Sequence, residues 1–564
     1  MPVKPRPNQK RASVPPNTRK AAPRFPAIVA FLESRSRALA VALILIASAR
    51  IVSTYSVFSH TFDEPAHIAC GIEWLASGVY TWEPQHPPLA RVAAALGPYL
   101  IGARPHNTPR IGILSMNTEG VAILFQGHRY DLTVTLARLG MLPFFWIACL
   151  VVYWWGSRYF GPAVAVAALF LFSFLPPVLA HAGLATTDMA LTAFLGAAYL
   201  SALIWLSRPT LANGALFGAC GGLAVLSKFS ALAYFPASIA LALVCLYLTG
   251  RPTLRELAEA ARQRIPSFGA AVLTACVLVW AMYRFSFGPT ALGIRLPAPE
   301  LYAGIERVMQ HNREGHFHYL LERDLRTGVW YYFPLLLAVK TPIAFLLFLG
   351  FGMALSLGTR LLARNAWLPL AFSAGILLVA LFSNINIGLR HVLPVYTGFS
   401  LLAALAVVRL LETARTSNWI AAGLGILILW FASASLLAHP DYLPYFNEFA
   451  GDHPEQIVVD SDLDWGQDMK RLAKRLNQAG ARRLAMIPFL RDLPPGAFGL
   501  PPMAPAVDAS APFPGWNAVS LTIWKQDRLG LGDHPEYIPW PERVTTPGER
   551  VGKGILLWYF PQSQ

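Results

Sequence analysis

Apolar residues fall in blocks of roughly 20, the length that crosses a ~30 Å hydrocarbon layer as a helix. These blocks lie at about 38–58, 132–155, 161–180, 188–206, 213–227, 229–249, 266–284, 330–356, 366–383, 392–411 and 418–437. The pattern predicts an α-helical polytopic membrane protein with about eleven transmembrane helices. Block 213–227 is short and reads equally as a half-span. Three polar stretches are long: 59–131, 285–329 and 440–564. In the first, Glu64 to Ser77 and Pro88 to Gly102 have the spacing of amphipathic helices, the former closed by Gly78. The last reads as a small α/β domain. Strands are expected at 457–459, 483–487, 518–524 and 554–560, with a helix over Trp465 to Ala479.

Charge orients this chain in the membrane. The sequence has 564 residues, 46 Lys and Arg against 31 Asp and Glu, and a net charge of +15. Only 14% of residues are charged and the mean hydropathy is +0.45, which makes a soluble enzyme a poor description. The basic excess suggests nucleic acid, but its distribution argues otherwise. Residues 1–37 carry nine basic side chains and one acid, whereas 440–564 carry 12 basic and 15 acidic residues. Arg158, Arg208, the four arginines from Arg251 to Arg264, and Arg360 with Arg364 fall in alternate loops. The positive-inside rule accounts for this pattern. It predicts a disordered, basic cytoplasmic tail over 1–37, a membrane domain over 38–437 and an extracytoplasmic C-terminal domain over 440–564. The tail does not have the form of a cleavable signal peptide. Four cysteines (Cys149, Cys220, Cys245, Cys276) lie in apolar blocks and Cys70 lies in a loop, with no disulfide or metal spacing.

Polar residues in or beside membrane spans are expensive and need a reason. Here they gather on one side: Asp63, Glu64 and His67 after the first span, and Glu83, His86 and Arg91 in the same loop. His181 and Asp188 flank the tip between spans three and four, and Lys228 the tip between five and six. Lys340 lies within span eight, and Asn384, Asn386, Arg390 and His391 lie between nine and ten. Structural explanations compete at several positions. Thr61 and Glu64 fit a capping box, Asp63 or Asp188 fits a helix start, and Arg390 fits a side chain reaching for headgroups. Arg138, Lys340 and Arg50 sit deeper in apolar sequence. His311, His316 and His318 lack an accompanying carboxylate cluster and read as loose surface histidines. The acidic run 460–468 lacks the Gly and Glu of a calcium loop and suits a helix N-terminus, with a sugar or acceptor contact as the lesser option.

Three motifs carry a family resemblance: PheAspGluProAlaHis at 62–67, HisProProLeuAlaArg at 86–91 and ThrThrAspMetAla at 186–190. They resemble the GT-C glycosyltransferases, in particular the protein O-mannosyltransferase and aminoarabinose transferase superfamily (family 39). AsnIleGlyLeuArgHisValLeuProValTyr at 386–396, TyrPheAsnGluPheAlaGly at 445–451 and AspLeuAspTrpGlyGlnAsp at 462–468 resemble an uncharacterised bacterial branch with a small C-terminal domain. The luminal domain that eukaryotic mannosyltransferases carry between spans is missing. The resemblance covers roughly 38–437. It implies a GT-C fold in the inner (plasma) membrane. The implied reaction moves a sugar, with inversion, from a polyprenyl-phosphate donor to a hydroxyl on a lipid, glycan or protein acceptor.

Such a transfer needs one base and a cationic clamp, because the leaving phosphate needs charge stabilisation more than a proton. Asp63 is expected as base, with Glu64 and Asp188 as supporting acids. Lys228, Arg390 and His391 are expected at the donor phosphate with Arg138 and Lys340 behind them, and His67, His86, Arg91 and Asn386 at the substrate. The mechanism calls for no cofactor or metal, and no nucleotide loop is present. A transporter or lipid flippase is the main alternative, predicting polar groups near the bilayer midplane and repeated halves. A membrane acyltransferase with a histidine base is another.

Overall fold

The computed structural model describes residues 24–112, 114–358, 363–490, 492–504, 508–530 and 538–561. Residues 1–23 of the basic tail and Arg360 lie outside them. Among the described residues, six helices are long and apolar enough to cross a membrane: Tyr130–Tyr159, Asp188–Ser207, Ala231–Gly250, Leu254–Met282, Val395–Thr413 and Asn418–Leu437. Two bent pairs raise the number to eight if each counts as one span. Ser36–Val52 and Leu211–Ser227 have 17 residues each, about 25 Å of helix.

The bent pairs are where two expected spans differ from straight helices. Pro162–Ser173 and Pro176–Ala182 meet at 68°, and Tyr332–Lys340 and Ile343–Leu357 meet at 117°. Each break precedes a proline: Leu175 and Thr341 take extended backbone ahead of Pro176 and Pro342. Steric conflict with the proline ring disfavours helical backbone at that preceding residue. The stretch read as a basic loop before span 266–284 is also helical. It forms the first turns of Leu254–Met282, started by a capping box between Thr253 and Glu256.

Asp188–Ser207 and Val395–Thr413 form the centre of the bundle, each about 78% buried along its most apolar window. Leu254–Met282 and Asn418–Leu437 are peripheral. Arg50, mid-span in sequence, donates to Ser435 O at 2.6 Å and Ser435 Oγ at 3.0 Å, between the rings of Phe174 and Tyr442. The five cysteines are free.

At one end of the bundle lie the helices Glu64–Ser77, Pro88–Leu100 and Ser115–Phe125. They pack closely: a Cβ on Gly120 would sit 2.0 Å from the Pro65 carbonyl oxygen, so only glycine permits the approach. Against this layer sits a four-stranded sheet in the order Leu484–Ile487, Gly515–Ser520, Ile555–Phe560, Glu549–Val551. The first pair is parallel and the other two antiparallel. Met469–Gln478 covers one face, burying Met469, Leu472 and Leu476 against Leu484, Met486, Val551 and Leu557. The expected strand at 518–524 is strand only to Ser520. There Ser520 Oγ accepts from Ile523 N and starts the helix Leu521–Asp527. The expected strand at 457–459 is irregular: Val458 and Val459 are buried, and Ile457 O accepts from Leu321 N.

The segment before the Met469–Gln478 helix is laced to the first loop. Ser59 N donates to Gln467 O and Phe62 N to Trp465 O, both at 3.0 Å, while Ser59 Oγ donates to Gly466 O at 2.9 Å. This stitching brings the acidic run 460–468 beside Asp63.

Candidate active site

Asp63 is the N-cap of the Glu64–Ser77 helix, but its carboxylate makes no capping bond. Instead Oδ2 accepts from Arg390 Nη1 at 2.7 Å. Arg390 lies in the short 3₁₀ turn Leu389–Val392, whose entry depends on Gly388. Gly388 has φ +73°, and a Cβ there would lie 2.3 Å from Ser461 Oγ. Positive φ and the close approach together require glycine. Gly388 N donates to Tyr332 Oη at 2.8 Å and Leu389 N to Asp462 Oδ1 at 3.1 Å, so two elements fix the turn.

Arg390 is the hub. Its guanidinium stands 4.3 Å from the Trp465 ring centroid, and Nη1 lies 4.0 Å from Asp188 Oδ2. Burial works against its charge, but Asp63, Asp188 and Asp460 more than reverse that and raise its pKa. Asp188 is fully buried at the start of Asp188–Ser207 and accepts from Lys228 Nζ at 2.7 Å. Lys228 ends the Leu211–Ser227 helix, where the backbone turns extended and aims it inward. His391 follows Arg390; burial, then Lys228 and Arg390, push its pKa well below the ordinary range, so the ring is neutral. Asp63, Asp188, Lys228, Arg390 and His391, far apart in sequence, therefore form one cluster. Asp63 is its most open carboxylate, with 27% of its side chain exposed.

Other candidates are engaged elsewhere. Glu64 is buried and its carboxylate accepts five hydrogen bonds: from Thr61 N and Oγ1, Arg138 Nε and Nη2, and Ala185 N, at 2.7–3.2 Å. Burial alone would raise its pKa, but Arg138 and these donors bring it below the usual value. Arg138 also donates to Ser59 O at 2.7 Å. Lys340 Nζ points to two carbonyls, Leu443 O at 2.8 Å and Asp462 O.

Arg91 holds a second network in the first loop. It donates to His67 Nδ1 at 3.0 Å and Tyr80 Oη at 2.8 Å, and pairs with the Glu83 carboxylate. His86 Nδ1 meets the same carboxylate at 3.0 Å. Burial would lift Glu83, but Arg91 and His86 hold it at about 2. Burial and then Arg91 keep His67 neutral. Asn386 is buried; its amide is best satisfied by accepting from Val329 N at 2.8 Å and donating to Ser383 O at 3.3 Å.

Two readings of the sequence change. His311 and His316 are not loose: His311 Nε2 and His316 Nδ1 lie 3.0 Å apart, Gln85 Nε2 contacts His311 at 2.9 Å, and burial brings His316 to about 4. Of the acidic run only Asp468 stands at the helix start, as the N-cap of Met469–Gln478 without a side-chain capping bond; the other three aspartates lie ahead of it. Asp462, Asp464 and Asp468 are buried, and Asp464 accepts from Ser520 Oγ and Thr522 N. Trp465 falls within the motif at 462–468 but was not singled out, and for Asp460, beside Arg390, the density of four aspartates in nine residues was the only hint. Among the described residues no three His, Cys, Asp or Glu side chains gather as a metal-binding set.

No known family profile and no curated protein matches the chain. Among solved structures, the chain is similar to ArnT from Cupriavidus metallidurans bound to undecaprenyl phosphate. Identity there is 14% and the TM-score 0.48, over 92% of this chain and 97% of that one. It is also similar to the archaeal oligosaccharyltransferase AglB from Archaeoglobus fulgidus, in complex with an inhibitory peptide and a dolichol-phosphate. That identity is 12% and the TM-score 0.45, over 89% of this chain and 72% of that one.

Proposed function

We propose that the protein is an inverting glycosyltransferase that moves a sugar from a polyprenyl-phosphate carrier to an acceptor hydroxyl on the extracytoplasmic side of the membrane. One observation carries this reading. A part-exposed aspartate, Asp63, is paired to a buried arginine, Arg390, with Lys228 and His391 close behind, where a membrane-spanning bundle meets a polar layer. A base beside a cationic clamp is what transfer from a lipid phosphate requires, and the motifs at 62–67, 186–190 and 386–396 supply Asp63, Asp188 and Arg390 to it.

The geometry supports a simple sequence of events. Arg390 binds the donor phosphate by charge-assisted hydrogen bonds, with Lys228 adding positive charge. Once Arg390 turns to the phosphate, Asp63 loses its partner and its carboxylate is free to take the proton of the acceptor hydroxyl. The oxygen attacks the anomeric carbon from the face opposite the phosphate. The bond from that carbon to the phosphate oxygen breaks, and its electron pair leaves with the polyprenyl phosphate, stabilised by the fixed cations. Asp188 holds Lys228 and faces Arg390, so it positions both. Glu64 with Arg138 fixes the helix start that presents Asp63, and Lys340 fixes the Asp462 turn beneath Arg390. Arg91, with His67, His86 and Asn386, shapes the surrounding loops. No cofactor enters these steps. The lipid tail of the carrier lies between helices. A basic N-terminal segment on the cytoplasmic side fits this orientation.

The test is transfer from a labelled polyprenyl-phosphate hexose by the purified protein in native lipid, with Asp63→Asn alongside. The variant is expected to bind carrier and to lose transfer by about 10²- to 10⁴-fold. Undiminished transfer in Asp63→Asn rejects this assignment.

A further inference from the structure

Asp460 is a third carboxylate at this site, brought by the segment that leads into the sheet. Its backbone has φ +56°, the left-handed region that glycine favours and that Asp and Asn enter at lower cost than other side chains. Such a conformation persists only where the surroundings over-determine it, and here they do. Asp460 N donates to Thr522 Oγ1 at 2.9 Å. One residue on, Ser461 packs against Gly388. Two residues on, Asp462 is held by Leu389 N and by Lys340. Thr522 is itself fixed through Asp464. Three separate parts of the fold thus hold one left-handed turn in place.

The Asp460 side chain does not repay this by structural bonding. Apart from the next residue's amide, its carboxylate has no hydrogen-bond partner among the described residues. It is part-buried and lies within electrostatic reach of Arg390 and Asp63. Unsatisfied polar atoms cluster around it: Arg390 Nε, Ser461 Oγ and Asp462 Oδ2 are buried without a partner. A left-handed turn pinned one residue before the serine that packs against Gly388, at the entry to Arg390, and carrying a carboxylate that accepts, among the described residues, only from its neighbour's amide, points to chemistry rather than to folding.

Building on the glycosyltransferase reading, we infer that Asp460 is the second carboxylate of the reaction, the group on which the acceptor proton comes to rest. The acceptor O–H bond breaks and its electron pair forms the new bond to the anomeric carbon. Asp63 takes the proton first, passes it to Asp460 and is free to pair with Arg390 again as polyprenyl phosphate departs. Asp460 releases the proton to water before the next cycle. Its proton affinity suits a relay. Burial, reinforced by Asp63 and Asp462 against the pull of Arg390, lifts its pKa to about 7. Asp460 acts through Asp63 and is a positioning and relay residue, not one that touches the sugar.

Two variants separate this role from a structural one. Glycine is the residue that left-handed backbone favours, so Asp460→Gly relieves the turn while deleting the carboxylate. Asp460→Asn keeps the shape and is also tolerated at positive φ. The assay is release of polyprenyl phosphate from labelled undecaprenyl-phosphate hexose by the full chain in native membrane vesicles, which contain the acceptor, from pH 5.5 to 8.5. Both variants are expected to unfold no lower than the wild-type thermal midpoint, lose turnover about 10²-fold, and lose the rise in rate through neutral pH. Turnover within about threefold of wild type in either variant overturns the inference. So does a loss of rate in which the neutral rise survives. A wild-type protein that releases no carrier at all rejects the glycosyltransferase reading, and this inference with it. The two failures are thereby distinguishable.

Discussion

Adjacent acids of one motif, Asp63 and Glu64, have opposite jobs in this account, and stability measurements separate them. Glu64→Gln removes a buried charge whose two oxygens face only donors. Oε1 accepts from Arg138 Nε and Ala185 N; Oε2 accepts from Thr61 N, Thr61 Oγ1 and Arg138 Nη2. Whichever way a glutamine amide is turned, its NH₂ group meets at least two donors. Arg138, 1% exposed, also loses its counter-charge. Breaking a buried pair by removing one partner costs about 3–5 kcal/mol. Asp63→Asn is different: the side chain is 27% exposed and has one ionic partner, and that partner keeps Trp465 and Asp188 as neighbours. Its cost is about 1 kcal/mol or less. The assay is thermal unfolding of detergent-solubilised protein followed by size-exclusion. Asp63→Asn is expected to unfold at the wild-type midpoint and Glu64→Gln well below it. The double variant Glu64→Gln/Arg138→Gln is expected to recover part of the loss, because the unpaired cation is gone. A Glu64→Gln protein with the wild-type midpoint refutes the structural role. Equal losses for Asp63→Asn and Glu64→Gln would refute the division of labour.

Two further outcomes follow from the same geometry. Gly388→Ala combines φ +73° with a Cβ only 2.3 Å from Ser461 Oγ, so it should destabilise by about 1–3 kcal/mol and weaken donor binding through Arg390; a normal midpoint and normal donor affinity would contradict the packing. The pH dependence has a definite sign, since Asp460 accepts a proton only when ionised. The rate should climb as pH rises through about 7, the value that burial sets together with the charges of Arg390, Asp63 and Asp462. For stability, a carboxyl whose folded pKa is raised favours the native state below its unfolded value of 3.8. That contribution is lost as pH climbs toward 7. A flat rate profile across neutrality would be inconsistent with this.

Hydrophobic blocks alone made the helical membrane architecture legible, because a span of apolar residues has few other uses. The breaks at Leu175 and Thr341 were hidden, since composition counts apolar residues and ignores the backbone conflict a single proline creates. Asp63, Asp188, Lys228 and Arg390 could be picked out as polar residues at span ends. Their convergence could not, because it depends on how helices 40 to 327 positions apart pack. The same limit explains Arg138 and Lys340. Buried cations in apolar sequence look like ligand clamps, and only the fold reveals Glu64, Leu443 and Asp462 as their partners. The acidic run misled for the opposite reason. Helix-start charges and a buried polar turn share a composition, and the distinction lies in what packs over them. Here that is the first loop, through Ser59 and Phe62.

The most direct test of the central claim is mass spectrometry of lipids that co-purify from native membrane with wild type and with Asp63→Asn. The account predicts a polyprenyl phosphate bearing one sugar, enriched on Asp63→Asn because transfer is blocked while Arg390 still binds phosphate. Ordinary phospholipids alone on both proteins, even after polyprenyl-phosphate sugar is added, would contradict it and favour a transporter.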